Sequence, residues 1–534
     1  MEAKKMDVRR KTVFGVFVVA IAAMMILSSM QVSSEKWNTP LTRNVEKLPV
    51  KVVKVGKSIA TANDGNVLVS AGSEYDDVMP GITTDDKGNI VVTWTQQQGI
   101  LAAEIAYAYS SDNGQTWTSF ATQTGELLTH SDISWQDCPT YTGLYGVYLD
   151  ETNMHMGFYT IGDVTDPTTF EAMYWTEEID APVYACVSDN TYLEGQYYNT
   201  HGPACMYVYH FVYGEYDIPA CPAQMIADLQ NGSGEITFDG QTHLVTAPAD
   251  NPDMAGVNMD VHYAWDYFNE TLEKYQIVWK KIIPVEGDTD STDIEYTPYQ
   301  KYIDYGIDPA ISKSGDNVVI VYMNNDNIYG DWDIKCAYSN DDGATWSIST
   351  VVEEHPVNEM HPDVYIAGNN VYVVYVSNGN LYLVESKDGG ATWGEPTQIN
   401  DNDGSVVAEP GCVDVSAAGI VWEDNRNGNI DVYYASLPAP RLEVAISGGF
   451  GITVHVSNTG TMAAENVQIT VEITGGLVLM GKSAETTVTL NPGDSVDVKL
   501  LPIGIGKITV TANAGGVTAK ATGFLLGPMV LGLK

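Results

Sequence analysis

A nine-residue phrase that occurs three times constrains the fold of this chain more than any other feature of its sequence. Each copy contains the pattern Ser-x-Asp-x-Gly-x-Thr-Trp, and the copies consist of Ser110, Asp112, Gly114, Thr116 and Trp117, of Ser339, Asp341, Gly343, Thr345 and Trp346, and of Ser386, Asp388, Gly390, Thr392 and Trp393. Serine and aspartate side chains can bond backbone amides in a tight turn, glycine supplies a backbone angle that other residues avoid, and tryptophan is a large apolar plug. The phrase therefore predicts a structural turn within a repeated unit.

A second marker keeps register with the first. It consists of one residue, then proline, then a short strand-like run, and it occurs at Pro80, Pro139, Pro182, Pro309, Pro362 and Pro410, with a weaker copy at Pro252. Between the two markers, runs such as "NIVVTWTQ" and "NVVIVYMN" alternate with the period of two that is typical of strands. Together the markers predict an all-β chain whose residues 71–437 form a β-propeller, with seven blades favoured and six as the alternative.

The phrase resembles the Asp-box, or bacterial neuraminidase repeat, of sialidases and many other β-propellers. The resemblance covers the repeat region only, and it implies that each phrase lies in the turn between a blade's third and fourth strands, away from the active site. Sialidases hold the sugar carboxylate with three arginines, whose planar, bidentate geometry is hard to replace. Of the five arginines in this chain, Arg426 alone lies within residues 71–437. The resemblance therefore predicts the fold but not the activity of a sialidase.

Candidate catalytic residues precede the strand-starting prolines, where we expect side chains to point towards the centre of the ring. They are Asp308, His361 and Glu409. Two suitably spaced carboxylates would suffice for another glycoside hydrolase, but in a chain with 69 acidic residues such groups are expected more often to bond the backbone or water. No cofactor and no defined metal site are predicted, although Asp/Asn-rich turns such as "NNDNIYGDWD" allow calcium.

The N-terminal residues predict export. Five basic residues precede an apolar run at 13–27, so residues 1–30 are either a cleaved signal peptide or a retained membrane anchor. Both alternatives place the remainder outside the cytoplasm, as an extracellular or cell-surface protein. Residues 31–70 are expected to form a linker and a strand, "NVLVSA", that helps to close the ring. Six cysteines fit an exported chain, and a disulfide is expected among Cys186, Cys205 and Cys221.

The texture of the sequence changes at residue 438. Residues 438–534 contain no tryptophan and consist of short alternating runs joined by glycine and asparagine turns, which predicts an immunoglobulin-like β-sandwich. The terminal "GFLLGPMVLGLK" is apolar but too short to span a bilayer, so a last strand is expected there.

Charge narrows the range of partners. The net charge of −43 opposes binding to nucleic acid and to anionic membranes, so membrane contact is expected only through the N-terminal segment. The sequence favours an exported, surface-associated propeller that binds glycans, proteins or envelope components without catalysis. A secreted glycoside hydrolase that uses carboxylates at the centre of the ring is the alternative. The sequence predicts no oligomeric state.

Overall fold

The structure, a computed structural model, describes most of the chain after residue 40. The described ranges are 41–59, 66–175, 180–194, 201–213, 216–228, 233–238, 249–258, 260–269, 271–282, 299–352, 356–438, 442–460, 463–491 and 493–534. Apart from the short 3-10 helix Pro167–Thr169, the regular elements in these ranges are β-strands. Within the same ranges, no helix is long and apolar enough to cross a membrane. The expected signal or anchor, residues 1–30, lies outside the described residues.

In residues 41–59 and 66–70, three strands precede the repeat region: β1 (Leu41–Leu48), β2 (Val52–Ile59) and β3 (Val67–Leu68). Seven antiparallel units follow in chain order among the described residues. Unit 1 contains β4 (Asp76–Thr84), β5 (Ile90–Gly99), β6 (Ala102–Ser110) and β7 (Thr116–Thr122), and unit 2 contains β8 (Leu128–Cys138), β9 (Tyr141–Asp150), β10 (His155–Ile161) and β11 (Phe170–Trp175). Unit 3 contains β12 (Asp180–Glu194), β13 (His201–Tyr213), β14 (Tyr216–Asp228) and β15 (Ser233–Phe238). Unit 4 contains β16 (Ala249–Val257), β17 (Asp260–Asn269), β18 (Lys274–Ile282) and β19 (Tyr299–Tyr305).

Units 5 to 7 continue the same pattern. Unit 5 contains β20 (Ile307–Ser314), β21 (Asn317–Asn324), β22 (Asp333–Ser339) and β23 (Ser347–Thr350). Unit 6 contains β24 (Glu359–Ala367), β25 (Asn370–Ser377), β26 (Asn380–Ser386) and β27 (Thr397–Gln398). Unit 7 contains β28 (Val413–Ser416), β29 (Gly419–Asp424) and β30 (Asp431–Ala435) together with β3. Strand β2 extends unit 1, and β1 joins units 2 and 3 into one nine-stranded sheet.

The units close into a ring. The first strand of each unit contacts the first strand of the next, from β4 through β8, β12, β16, β20 and β24 to β28, which contacts β4 again. Strand β3 supplies the fourth strand of unit 7, with Val67 opposite Tyr434 and Leu68 opposite Tyr433. A ring of small antiparallel sheets whose faces bury one another is a β-propeller.

Each repeated phrase folds into the same hydrogen-bonded turn between the third and fourth strands of its unit. In unit 1, the Ser110 hydroxyl donates to Asp112 Oδ1 at 2.8 Å, and the Gly114 amide donates to Ser110 Oγ at 2.9 Å. The Thr116 amide and hydroxyl both donate to the Asp112 carboxylate, at 2.8 and 2.7 Å. The copies that begin at Ser339 and Ser386 make the same bonds.

The phrase also wedges its unit against the preceding one. Trp117 of unit 1 packs edge-on against Tyr434 of unit 7, with ring centroids 5.2 Å apart. Trp346 of unit 5 packs in the same way against Trp279 of unit 4, at 5.4 Å. In unit 6, the Trp393 indole donates to Ser349 Oγ of unit 5 at 2.9 Å. All three copies thus serve a contact between neighbouring sheets.

The C-terminal residues fold into two packed sheets. One contains β31 (Leu442–Gly449), β32 (Gly451–Asn458) and β35 (Ser495–Leu500), and the other has the order β34 (Ser483–Leu490), β33 (Ala464–Met480), β36 (Ile503–Ala514), β37 (Val517–Gly527) and β38 (Met529–Leu531). Their inward side chains form one apolar core. The terminal apolar run lies in β37 and β38.

The disulfide expected from sequence is not formed between Cys186 and Cys205. These residues lie on neighbouring strands, where Cys186 is opposite Met206 and Val187 is opposite Cys205. Because side chains alternate along a strand, the two thiols point to opposite faces of the sheet. Both are present as buried thiols. The side chain of Cys221 lies outside the described residues.

The close contact between the repeated phrase of unit 5 and Trp279 of unit 4 predicts that Gly343 tolerates no side chain. Gly343 has a φ of +81°, and an added Cβ would lie 2.2 Å from the Trp279 ring. We expect Gly343→Ala to lower the free energy of unfolding of the propeller by about 2–4 kcal/mol. Gly88→Ala is the matched control, because Gly88 has a φ of +79° with open space around it; a loss of about 1 kcal/mol is expected.

Urea unfolding followed by tryptophan fluorescence measures this difference, because residues 442–534 contain no tryptophan. Equal losses for Gly343→Ala and Gly88→Ala would contradict the role of the phrase as a wedge.

The central channel as candidate functional site

The first strands of the units enclose a cavity of about 410 Å³ at the centre of the ring. Four of these strands carry a β-bulge at which the residue before a proline adopts a left-handed backbone. The residues are Met79, Asn251, Asp308 and His361, with φ values between 46° and 57°. A bulge re-aims a side chain, and all four residues line the cavity. His130 adopts the same conformation in unit 2, where serine follows it instead of proline.

The bulges bring two of the three predicted catalytic candidates together. His361 Nδ1 lies 2.6 Å from Asp308 Oδ2, so the pair joins unit 6 to unit 5 at the cavity wall. The Asp308 amide donates to Asp266 Oδ2 at 2.9 Å. A carboxylate that holds an imidazole in this way can orient a ligand or a general base.

Glu409, the third candidate, is exposed and is not part of the cavity lining. The reason lies in unit 7, whose first strand begins only at Val413. There Gly411 supplies the left-handed backbone and lines the cavity instead. The structure therefore brings Asp308 and His361 together at the cavity wall, and it does not place Glu409 with them.

A ring of aspartates that the sequence reasoning missed lies next to the bulges. Each carboxylate accepts a backbone amide from the first strand of the following unit. The bonds run from Val187 to Asp132 at 2.9 Å, from Ile311 to Asp253 at 2.7 Å, from Val415 to Asp363 at 2.6 Å and from Ile82 to Asp414 at 2.6 Å. These four residues, the channel aspartates, therefore tie successive units together. In the sequence, Asp132, Asp253 and Asp363 lie two residues after a left-handed position, and Asp414 lies three residues after the left-handed Gly411.

Burial makes the channel aspartates hard to ionise. Desolvation raises the pKa of Asp132, Asp253 and Asp363 to about 7. The pKa of Asp414 is raised well above its ordinary value by burial and then by the neighbouring Asp363 carboxylate. Burial lowers the pKa of His130, which also lines the channel, to about 4. Near neutral pH the channel is therefore much less charged than its acidic composition suggests.

Three side chains have the spacing of a metal site but already bind cations of the chain itself. Asp260, His262 and Asp342 offer ligand atoms within 4.8 Å of one another. The Asp260 carboxylate lies 2.8 Å from Lys281 Nζ and 3.1 Å from Lys313 Nζ, and both ammonium groups also contact Asp342. We interpret this cluster as an ion-paired link between units 4 and 5.

A second acidic cluster lies between units 5 and 6. Asp331 and Asp333 end the "NNDNIYGDWD" loop, and Glu359 begins the first strand of unit 6. Among the residues that the structure describes, neither buried carboxylate oxygen of Asp331 has a hydrogen-bond partner. Burial, followed by the charges of Asp333 and Asp331, raises the pKa of Glu359 to about 8. Oxygen ligands of this kind suit calcium.

Arg426 is held away from the channel. Its Nε donates to Asp424 Oδ1 at 2.9 Å and one terminal nitrogen lies 2.5 Å from Asp401 Oδ1. Its guanidinium also stacks on the Tyr433 ring, 4.0 Å from the centroid. These contacts hold the side chain between the unit 7 hairpin and the segment that follows unit 6, so Arg426 does not supply an anion clamp to the cavity.

Comparison with known proteins gives structural likeness only. No family model and no curated protein sequence matches the chain. A Trypanosoma rangeli sialidase in complex with the inhibitor DANA is 11% identical, with 90% of each chain covered and a TM-score of 0.34. A Penicillium chrysogenum α-L-arabinanase complexed with arabinobiose is 12% identical, with 72% of this chain and 99% of that chain covered and a TM-score of 0.35. The Hadza microbial sialidase Hz136 is 12% identical over 70% and 68%, with a TM-score of 0.35. At this similarity the activities of these enzymes do not transfer to the chain.

The channel aspartates predict that the propeller gains stability on mild acidification. Their pKa is about 7 in the folded ring but near the ordinary value of 3.8 in the unfolded chain, so the folded state binds more protons between these pH values. Stability therefore falls as pH rises from about 4 to 7. We expect a higher midpoint of thermal unfolding at pH 5 than at pH 7.

Asp253→Asn tests the origin of this dependence. Asp253 accepts the amides of Met254 at 2.8 Å and Ile311 at 2.7 Å. Asparagine can still accept one of them but cannot titrate, so the slope of the unfolding free energy against pH should decrease by the equivalent of about one proton. A variant with the same pH dependence as the wild type would rule out Asp253 as a source.

Proposed function

We propose that the chain is an exported, surface-associated protein in which a seven-bladed β-propeller and an immunoglobulin-like sandwich bind glycans, proteins or envelope components without catalysis. The observation that carries this proposal is that the channel carboxylates are engaged in hydrogen bonds within the protein. The channel aspartates accept backbone amides between units, and Asp308 is bonded to His361. The Asp-box resemblance, taken as structural, agrees with this proposal.

Acid–base hydrolysis needs carboxyl groups that can reach a substrate and exchange protons with it. A carboxylate whose oxygens already accept two amides has little freedom to approach a glycosidic oxygen. Asp132, for example, accepts the amides of Ile133 at 2.7 Å and Val187 at 2.9 Å. In this proposal the channel aspartates stabilise the ring, and the ring binds a ligand without cleaving it.

The second candidate is a secreted glycoside hydrolase. Asp308 and His361 favour the hydrolase, because they form a hydrogen-bonded carboxyl–imidazole pair in the wall of a cavity. In this alternative, Asp308 would be one of the two acidic groups and a channel aspartate the other.

Residues 36–534 should be tested on a glycan array and against a panel of chromogenic glycosides. We expect binding to at least one glycan without turnover. Asp308→Asn should weaken that binding because it removes a charge from the cavity wall, while Glu409→Gln, outside the cavity lining, should leave it unchanged. Turnover that is abolished by Asp308→Asn and retained by Glu409→Gln would contradict the binding proposal and favour the hydrolase.

We also propose calcium as the metal of the loop that ends at Asp331 and Asp333. The buried Asp331 carboxylate supports this, because a cation would compensate an acidic cluster that its surroundings desolvate. Calorimetric titration with calcium alone should show binding to residues 36–534 and at least tenfold weaker binding to Asp331→Asn. Asp326→Asn, on the exposed part of the same loop, is the control. Equal affinity for the Asp331→Asn variant would exclude this site.

A further inference from the structure

The C-terminal sandwich exposes an apolar patch at one end of the outer face of its five-stranded sheet. Leu477 of β33 is opposite Ile505 of β36, Ile505 is opposite Leu526 of β37, and Leu526 is opposite Met529 of β38. These residues therefore form a row across four strands. Their exposed fractions are 60%, 52%, 52% and 40% in that order. A sheet spacing of about 4.8 Å makes the row about 14 Å wide.

Further apolar side chains extend the row along the strands. Ile503 precedes Ile505 and Phe524 precedes Leu526 at the strand period of two, so both share the outer face. Leu479 lies in the bulge between Val478 and Met480 and is 69% exposed. Phe524 is in turn opposite Leu531. We call these eight residues the apolar patch: Leu477, Leu479, Ile503, Ile505, Phe524, Leu526, Met529 and Leu531.

Regular alternation, not loose packing, produces the exposure. Val478, Leu525 and Val530 lie between the patch residues in sequence, and all three are buried in the core of the sandwich. The strands therefore already have one satisfied apolar face, and the patch is a second. Monomeric soluble proteins seldom expose a contiguous apolar area of this extent without an interaction to cover it.

Charge around the patch departs from that of the whole chain. The protein has a net charge of −43, yet residues 498–534 contain four lysines and no aspartate or glutamate. Lys507 lies on the patch face, opposite Phe524, and Lys482 and Lys534 are also exposed. The repulsion that whole-chain charge predicts for an anionic surface therefore does not apply to this end of the sandwich.

We propose that the apolar patch inserts into the interfacial layer of an anionic lipid bilayer. Apolar side chains would enter the acyl boundary while the lysines extend to the phosphate groups. A second copy of the chain fits less well, because two patches in contact would bring their lysines together without acidic partners. The expected membrane segment at residues 13–27 would hold the protein at the same surface, and the patch would add a contact there. This inference goes beyond the proposed function and does not depend on what the channel binds.

Residues 36–534 suit the test, because they keep every described strand and remove the apolar run at 13–27. An environment-sensitive nitrobenzoxadiazole label is placed on Leu479→Cys in a Cys221→Ser background, since the other five cysteines are buried. The control label is on Thr489→Cys, an exposed position towards the other end of the neighbouring strand. Vesicles of equimolar phosphatidylglycerol and phosphatidylcholine are then added.

We expect a blue shift and a severalfold rise in emission at position 479 and no change at position 489. The combined substitution Leu477→Ser, Ile505→Ser and Leu526→Ser should abolish co-flotation with the vesicles while the thermal midpoint is kept, because these side chains are exposed. Emission at position 479 that is unchanged by vesicles would overturn the proposal. So would a blue shift that appears without lipid and grows with protein concentration, because it would assign the patch to a second copy.

Discussion

Closure of the ring is the constraint on which the rest of the structure depends. The chain closes it by bringing residues near the start of the described ring against unit 7. Val67 and Leu68 pair with β30, the Asp77 amide donates to the Ile430 carbonyl at 2.8 Å, and the Met79 amide donates to Glu423 at 2.9 Å. Without this seam, units 1 and 7 would each expose a sheet face, and no walled channel would exist.

The acidic composition takes on a structural meaning inside this ring. Carboxylates complete the turn of each repeated phrase, and others tie the first strands together around the channel. Both uses exploit the capacity of a carboxylate to accept several hydrogen bonds. In the exposed turns, hydrogen bonds lower the pKa of Asp341 and Asp388, whereas burial raises the pKa of the channel aspartates. One residue type therefore acts as a charged acceptor in the exposed turns and as a partly protonated one in the channel.

Local patterns in the sequence predicted the repeated phrase, its turn and most strands, because these depend on residues close together in the chain. The weaker proline marker, Pro252, lies in a β-bulge like those at Pro80, Pro309 and Pro362. Pro139, by contrast, lies in the turn between β8 and β9. The sequence could not place the side chains of Glu409 and Cys186 for a different reason. The direction of a side chain depends on bulge placement and register, and a shift of one residue reverses it. The channel aspartates and the apolar patch arise only when distant strands become neighbours. Sequence spacing alone does not reveal such sets.

The claim that the ring is closed is tested most directly by amide hydrogen exchange of residues 36–534. Exchange is measured by mass spectrometry on peptides that cover residues 66–82 and 419–435. The two sides of the seam should be as strongly protected as the first strands of units 5 and 6, because each depends on the other for its hydrogen bonds. Fast exchange across 66–82, with protection kept in units 5 and 6, would show an open ring and would contradict the account of the channel.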